Sequence, residues 1–408
     1  MPRIKRIAEK LELKEFQLRA LLDVTKAINN TVGQEELTDL YRSIVKEQLG
    51  ITRLTLFVDS DGWECVLCYG TSDDMSAVDV DQAFGHYRDI QVIGSENIGN
   101  LGAFDVAVPV YHRERPLAFL LIGDIDEEEQ RISPTVKHLN FIQTLTNLIV
   151  VAMENRRLAR QEMQQQRDAR ELELAAEMQA MLVPRDLPRE GKLRAAGWYQ
   201  PHRLVGGDYY DLFHITDDVV MFCVADVSGK GIAASLLMSN FQATLRAMAR
   251  HSDRSMEQLV HELNERVHSS ARGERFITLF IGRMDLRTGQ LDFVNAGHNA
   301  PLLHHQGAIQ HLRDGSIALG MMPKLPFLKT GSVQIGPGSR ILCYTDGLIE
   351  QEDHTGDAFE MEPLEQVLKE TADQGPEETV AALKERFEKH RNGVPYLDDI
   401  AVLACSFG

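Results

Sequence analysis

The chain has 408 residues, a length that predicts two or three domains rather than one. Its composition, 43% hydrophobic and 25% charged, is that of a globular protein and excludes general disorder. The formal net charge of −18 disfavours nucleic acids and anionic membranes as partners, because both would be repelled.

The chain shows no signal for export or membrane insertion. Its basic start, MPRIKRIAEK, is not followed by an apolar segment, so we predict no signal peptide. The apolar run at residues 148–153 is far too short to span a membrane. The five cysteines are scattered, as expected in a reducing compartment, and we predict a cytoplasmic protein. Cys65 and Cys68 form a C-x-x-C, but in a strand their offset should point them to opposite faces, which argues against a zinc or redox site.

The first 155 residues predict helices at both ends of a small antiparallel sheet. Hydrophobic periodicity and turn residues indicate two helices and then four strands, over residues 1–33, 35–49, 54–58, 63–69, 104–110 and 116–122. Ser133 and Pro134 then open a long helix, as N-cap and first helical residue. This order resembles a GAF domain over roughly residues 15–155. The resemblance implies a sensor that binds a small ligand or partner protein, or only dimerises, and it assigns no ligand residue.

The exit helix continues without glycine or proline from residue 154 to residue 182. Its centre, residues 159–168, is almost entirely polar. An apolar face returns at Leu174, Met178, Met181 and Leu182. We predict a helical coiled-coil linker, residues 156–187, in a parallel homodimer, with a solvated spacer as the alternative. In a regulated protein, this apolar face would bury itself in the dimer or dock on the helix predicted at residues 232–248.

Residues 188–408 form the predicted second domain, and the stretch 219–231, VVMFCVADVSGKG, is central to it. Seven residues without a polar side chain predict a strand buried on both faces. The strand ends on Asp226, just before a glycine-rich turn. A single aspartate there could merely cap the turn. An ionised carboxylate at the mouth of a buried strand is nevertheless costly unless a cation or donor meets it.

The same construction recurs in this domain. Aspartates stand beside glycine turns or at strand ends at four places, namely Asp208, Asp226, Asp346 and the pair Asp398-Asp399. If these carboxylates converge, they repel one another strongly. A hard divalent cation held by oxygen ligands is the usual resolution. No histidine-rich spacing accompanies them, which favours Mg²⁺ or Mn²⁺ over zinc.

Five motifs occur in a fixed order: GGDYYD, ADVSGKG-IAASLLM, NAGHNAPLL, YTDGLIE and LDDIAVL. With the preceding LELAAEMQAMLVP, they resemble the metal-dependent protein phosphatases (type 2C), and within these the bacterial stage-II-sporulation-E and stress-response branch. The resemblance covers about residues 170–408. It implies an α+β protein whose catalytic domain is an αββα sandwich around two Mn²⁺ or Mg²⁺ ions. It also implies a phosphoserine or phosphothreonine protein as substrate, a regulatory phosphoprotein of the anti-sigma-factor-antagonist type.

The resemblance also implies roles for individual residues. The metal ligands would be Asp208, Asp226, the Val227 carbonyl, Asp346 and Asp398. A metal-bridging water would be the nucleophile, so no side chain is needed for that role. Residues that could support the metal ligands or contact the substrate are Asp399, Arg203, His298 and Asp211. Arg203 is the candidate for the phosphate-binding arginine that eukaryotic members of the family carry. His298 could be a general acid, but a lone histidine in a turn is more often structural.

Three other interpretations of the second domain compete with a phosphatase. Gly206-Gly207-Asp208 is similar to the GGD turn of diguanylate cyclases, but Tyr-Tyr-Asp follows where those have Glu-Phe, and Asp346 and Asp398 stay unexplained. The turn around Lys230 is not a P-loop, because the G-x-x-x-x-G-K-S/T frame is absent. A GAF-linked scaffold with a degenerate, non-catalytic phosphatase domain is the remaining alternative.

Overall fold

The computed structural model describes residues 2–93, 104–123, 134–250 and 254–408. The chain divides into two compact units, residues 1–166 and 167–408. This division falls inside the long helix, and the boundaries at residues 155 and 187 inferred from the sequence stay predictions. No helix in the described ranges is both long and apolar enough to cross a lipid bilayer.

The first unit is a five-stranded antiparallel sheet with helices. Its strands are β1 (Leu54–Asp59), β2 (Trp63–Tyr69), β3 (Gln91–Val92), β4 (Val106–His112) and β5 (Arg115–Ile122). They lie in the order β2-β1-β5-β4-β3. The helices are α1 (Pro2–Asn29), α2 (Gln34–Arg42) with a π-helical continuation (Ser43–Gln48), a short 3-10 turn (Met75–Ala77), α3 (Val80–Phe84) and α4 (Pro134–Ala180).

Side chains alternate across this sheet and bury both of its faces. On one face, Leu56 and Leu120 pack in the same core as Leu145 of α4. On the other, Phe57 and Phe119 pack with other aromatic and aliphatic residues in a second core. Alternation at the period of a strand thus produces two cores from one sheet. Ser133, the expected N-cap of α4, lies outside the described residues.

The prediction that Cys65 and Cys68 point to opposite faces was wrong. The register of β1 on β2 shifts between Leu56 and Phe57, so Cys65 pairs with Phe57 and Cys68 with Thr55. This β-bulge adds one residue to β2 and therefore returns both thiols to one face. Burial and the neighbouring Cys68 raise the pKa of Cys65 to about 11, so its thiol stays protonated at neutral pH.

The second unit contains two sheets. Its strands are β6 (Leu193–Gln200), β7 (Tyr209–His214), β8 (Val219–Val227), β9 (Ile277–Asp285), β10 (Gln290–Ala296), β11 (Leu302–His305), β12 (Ala308–His311), β13 (Gly315–Ser316), β14 (Gly331–Gln334), β15 (Ser339–Tyr344) and β16 (Ile400–Phe407). Its helices are α5 (Ile232–Ala249), α6 (Met256–Ala271), α7 (Asp346–Ile349), α8 (Glu362–Glu370) and α9 (Pro376–Arg391), together with the end of α4.

These elements form four layers. One sheet has the order β13-β10-β9-β8-β7, with β14 also paired to β10, and the other has the order β12-β11-β15-β16-β6. A core that includes Phe222 and Leu403 lies between the two sheets. A second core joins the first sheet to α5 and α6, and a third joins the second sheet to α8 and α9. The αββα sandwich expected from the sequence is therefore the observed layering of this unit.

Candidate metal centre

The first sheet brings two of the predicted acids together. Tyr209 opens β7 and pairs with Ala225 near the end of β8. Because these strands are antiparallel, the residue before β7 and the residue after Ala225 lie at the same end of the sheet. Asp208 and Asp226 are therefore neighbours, although 18 positions separate them in the chain.

The second sheet places further acids at its own strand ends. Tyr344 ends β15 and pairs with Val402 near the start of β16. Asp346 follows β15, and Asp398 and Asp399 precede β16, so these three stand together. The backbone approaches closely here: a Cβ on Gly347 would lie 2.1 Å from the Asp399 carbonyl oxygen. Only glycine fits such a contact.

The acids of the two sheets act on one another electrostatically. Asp208 is 2% exposed. Its burial raises its pKa well above the usual range, and the charges of Asp226 and Asp399 raise it further. Burial and the charge of Asp346 likewise raise the pKa of Asp226 to about 7. Without a cation, these carboxylates therefore retain protons at a pH where exposed aspartates are ionised.

The donor set fits a hard cation in its chemistry. The Asp208 Oδ2 atom is buried and has no hydrogen-bond partner among the described residues. The Val227 carbonyl oxygen lies 3.0 Å from where a Cβ of Gly207 would stand, so it lines the same turn. Carboxylate and carbonyl oxygens are the ligands that Mg²⁺ and Mn²⁺ prefer. Within the described ranges, however, no three His, Cys, Asp or Glu side chains form a ready cage for an ion.

Asp399 holds the loop that carries Asp208. Its carboxylate accepts hydrogen bonds from the backbone amides of His202 at 2.7 Å and Gly207 at 2.6 Å. These bonds order the turn between β6 and β7 and occupy both oxygens of Asp399. Arg203 lies in the same loop and its side chain is exposed.

Gln179 is a contact that the sequence analysis missed. Its side chain donates to the Gly206 carbonyl at 2.5 Å and accepts from the Gly206 amide at 3.1 Å. Gln179 is 7% exposed, although it belongs to the polar series near the end of α4.

The apolar face expected to dock is largely uncovered, since Met178 and Met181 are 71% and 70% exposed. Only Leu182 packs in the core that includes α5.

Lys230 was also missed, because the glycine turn around it was considered only as a phosphate loop. Its ammonium lies 2.7 Å from Asp398 Oδ2 and donates to the Leu397 carbonyl at 2.7 Å. Its charge also lowers the pKa of Asp346, against the larger effects of burial and neighbouring carboxylates. Lys230 is thus a cation of the chain itself that contacts an expected metal ligand.

His298 occupies a structural position. Its Nδ1 accepts from the Thr278 hydroxyl at 2.8 Å, and its Nε2 donates to the Tyr344 carbonyl at 3.1 Å. Burial lowers the pKa of His298 to about 4, so the ring is neutral at physiological pH. Both ring nitrogens are used to join β9 to β15, which favours the structural interpretation over a general acid.

Asp211 is not brought to the acid group. It is fully buried on β7 and accepts two hydrogen bonds from the guanidinium of Arg246, at 2.7 and 2.8 Å. The Tyr209 hydroxyl also donates to it. This ion pair joins β7 to α5, and no oxygen of Asp211 is free for substrate.

The layering of the second unit is that of a known phosphatase domain. The chain is similar to the solved SiaA-PP2C domain of Pseudomonas aeruginosa, with a TM-score of 0.53 and 20% identity. That similarity covers 60% of this chain and 98% of the compared chain. The second unit therefore has the PP2C-type phosphatase fold.

The family follows from the sequence comparison. Residues 216–408 match the model of the stage II sporulation protein E family, SpoIIE. The chain is 28% identical to protein IcfG of Synechocystis over 57% of its own length and 41% of that protein. It is 26% identical to the phosphoserine phosphatase RsbU of Bacillus subtilis over 50% of its length and 61% of that protein. The chain thus spans about half the length of these curated relatives. Its C-terminal part carries the match to the SpoIIE family and is similar to the phosphoserine phosphatase RsbU.

We predict that Lys230→Met binds Mn²⁺ more tightly than the unaltered chain, by up to about fivefold. A cation bound at Asp398 would displace the ammonium, and a half-exposed ion pair contributes about 0.2–1 kcal/mol. Calorimetric titration of the metal measures this directly. Lys230→Arg keeps the charge, and Lys329→Met removes an equal charge at a distant ion pair with Asp314. Equal or weaker Mn²⁺ binding by Lys230→Met would contradict the prediction that the Lys230 ammonium competes with the metal ion for Asp398.

Proposed function

We propose that this chain is a Mn²⁺- or Mg²⁺-dependent serine/threonine protein phosphatase that acts on a regulatory phosphoprotein. The observation that supports this proposal is that Asp208, Asp226, Asp346 and Asp398 stand at strand ends of a PP2C-type sandwich and affect one another electrostatically. The name of RsbU, a phosphoserine phosphatase, supports the reaction and the substrate class. An anti-sigma-factor antagonist is the proposed kind of substrate.

The chain's residues would hold two ions and position the phosphoryl group. Asp208 and Asp226, with the Val227 carbonyl, would be ligands from the first sheet, and Asp346 and Asp398 would be ligands from the second. When bound, the cations supply charge that activates water and stabilises the phosphoryl oxygens. Asp399 keeps the loop of Asp208 in place through the His202 and Gly207 amides.

The surroundings of these acids suit a protein substrate. An open cleft of about 720 Å³ lies beside them, lined among others by Lys230, Glu350, Met361, Leu397 and Asp398. Such a cleft admits a surface loop that carries phosphoserine or phosphothreonine. The exposed Arg203, in the loop before Asp208, remains the candidate for a phosphate contact.

We expect Asp226→Asn and Asp346→Asn each to abolish Mn²⁺-dependent hydrolysis of p-nitrophenyl phosphate and of a phosphoserine peptide. Each change removes a negative charge that the cations need, and a buried carboxamide leaves the sandwich folded. Steady-state rates across a Mn²⁺ titration and circular dichroism check both points. Asp314→Asn, which changes an aspartate on an exposed ion pair, is the matched control.

The same assay separates this proposal from a non-catalytic scaffold. A degenerate domain would show no metal-dependent turnover in the unaltered chain. Undiminished turnover in both variants, with metal still required, would mean that the acid group is not the site.

We also propose that the first unit is a GAF-like sensor for a small ligand or partner protein, and that it controls the phosphatase through α4 in a homodimer. The support is the sheet with covering helices, and the 47-residue length of α4. Exposed apolar side chains on α4, among them Leu158, Met163 and Leu174, would be covered by a second copy. Light scattering at micromolar concentration should give the mass of a dimer, and a monomer mass would remove this part of the proposal.

The docking of Gln179 on Gly206 supplies a physical route for such control. We predict that Gln179→Leu raises the half-saturating Mn²⁺ concentration of the full chain about tenfold, because a buried backbone N–H and C=O lose their partners. The loop of Asp208 would then lose part of its support. Met178→Ala, at the exposed neighbouring position, is the control. Equal metal dependence in the Gln179→Leu and unaltered chains would show that the end of α4 is only a tether.

A further inference from the structure

The first unit contains a cleft that the proposed phosphatase activity does not use. It measures about 250 Å³ and lies between the start of α2, the end of β1, part of β2 and one stretch of α4. Leu37, Val58 and Met153 line it with apolar surface, and each is at least nine-tenths buried. Val58 and Met153 belong to the core on the side of the sheet that α4 covers, away from the aromatic core around Phe57.

The polar lining of this cleft is rich in arginine. Arg156, Arg157 and Arg160 of α4 face two carboxylates, Glu64 and Glu154. Three guanidinium groups against two carboxylates give the lining a positive balance, in a chain whose net charge is −18. The net charge of the cleft lining is therefore opposite in sign to the net charge of the chain.

One of the carboxylates is already neutralised. Arg157 donates to both oxygens of Glu154, at 2.8 and 2.9 Å, and to Asp61 at 3.0 Å. This forked pairing uses all three donor nitrogens of Arg157 within the protein. The charged side chains that remain in the lining are Arg156 and Arg160 against Glu64, which leaves one net positive charge.

Arg156 is the residue that indicates a missing ligand. Its Nη2 atom is buried and has no hydrogen-bond partner among the described residues. A buried N–H without an acceptor costs free energy, about 1–3 kcal/mol and more for a charged group. An acceptor supplied by a ligand would remove that cost. A guanidinium presents its donors in a planar fork that matches a carboxylate or a phosphate.

We propose that this cleft binds a small organic anion through Arg156 and Arg160. Its carboxylate or phosphate group would meet the Arg156 fork, and a short apolar part would lie on Leu37, Val58 and Met153. Gln34, Ser60 and Gln161 also line the cleft and offer further hydrogen bonds to the ligand. The same helix, α4, carries Gln179 at its other end, so the ligand would contact the element that reaches the loop of Asp208.

The test is binding of two simple anions to the full chain, measured by calorimetry and by thermal unfolding. Sodium phosphate and sodium butyrate are compared with sodium chloride at equal ionic strength, in EDTA so that metal at the acid group plays no part. If only phosphate binds saturably, the ligand carries a phosphate group. If only butyrate binds saturably, the ligand carries a carboxylate. Because the readout is binding, a failure here is distinct from a failure of the proposed phosphatase activity.

Two variants and a control locate the binding. Arg156→Gln should weaken the affinity about tenfold or more, since a charge-assisted hydrogen bond is lost. Arg160→Gln, at an exposed position that does not threaten folding, should weaken it severalfold. Arg170→Gln changes an arginine of the same helix that pairs with Glu173 outside the cleft, and should leave binding unchanged. The proposal is overturned if neither anion binds saturably, or if Arg156→Gln and Arg160→Gln, like the Arg170→Gln control, bind as tightly as the unaltered chain.

Discussion

The constraint on which the second unit depends is the mutual repulsion of buried carboxylates. Two sheets each end in aspartates on the same side of the sandwich, and burial removes the water that would screen them. In the absence of a cation the charge can be lowered in two ways. The carboxylates retain protons, as the raised pKa of Asp226 shows, or a cation of the chain approaches, as Lys230 does at Asp398. A bound divalent cation would replace both the retained protons and the Lys230 ammonium.

The loop before Asp208 is the part of this arrangement most dependent on distant residues. Gly206 and Gly207 allow close backbone approach, but they have no side chains of their own to hold this end of the loop. Asp399 bonds to the Gly207 amide from one direction and Gln179 bonds to Gly206 from another. The position of an expected metal ligand is therefore set by two residues that do not belong to its strand. One of these two belongs to the helix that begins in the first unit.

Much of the organisation was readable from the sequence. Four strands of the first unit's sheet, the long helix and the strands beside the aspartates follow from local patterns, because periodicity and turn residues act over a few positions. The short strand β3 was not predicted. The resemblance to the phosphatase family was then confirmed by the match over residues 216–408. Strand boundaries shifted by one or two residues, as at β4, where the fraying of strand ends leaves no sharp local signal.

What the sequence by itself determined was which residues end the strands and which residue types stand there, since both depend on near neighbours in the chain. Tertiary structure alone decided which of these residues meet. Lys230 reaches Asp398 across 168 positions, and Gln179 reaches Gly206 across 27. A bulge in β2 turned Cys65 to the face of Cys68, and Asp211 was drawn into a pair with Arg246 rather than to the acids. A β-bulge and the docking of remote elements set these contacts, and the period-two alternation of a strand indicates neither.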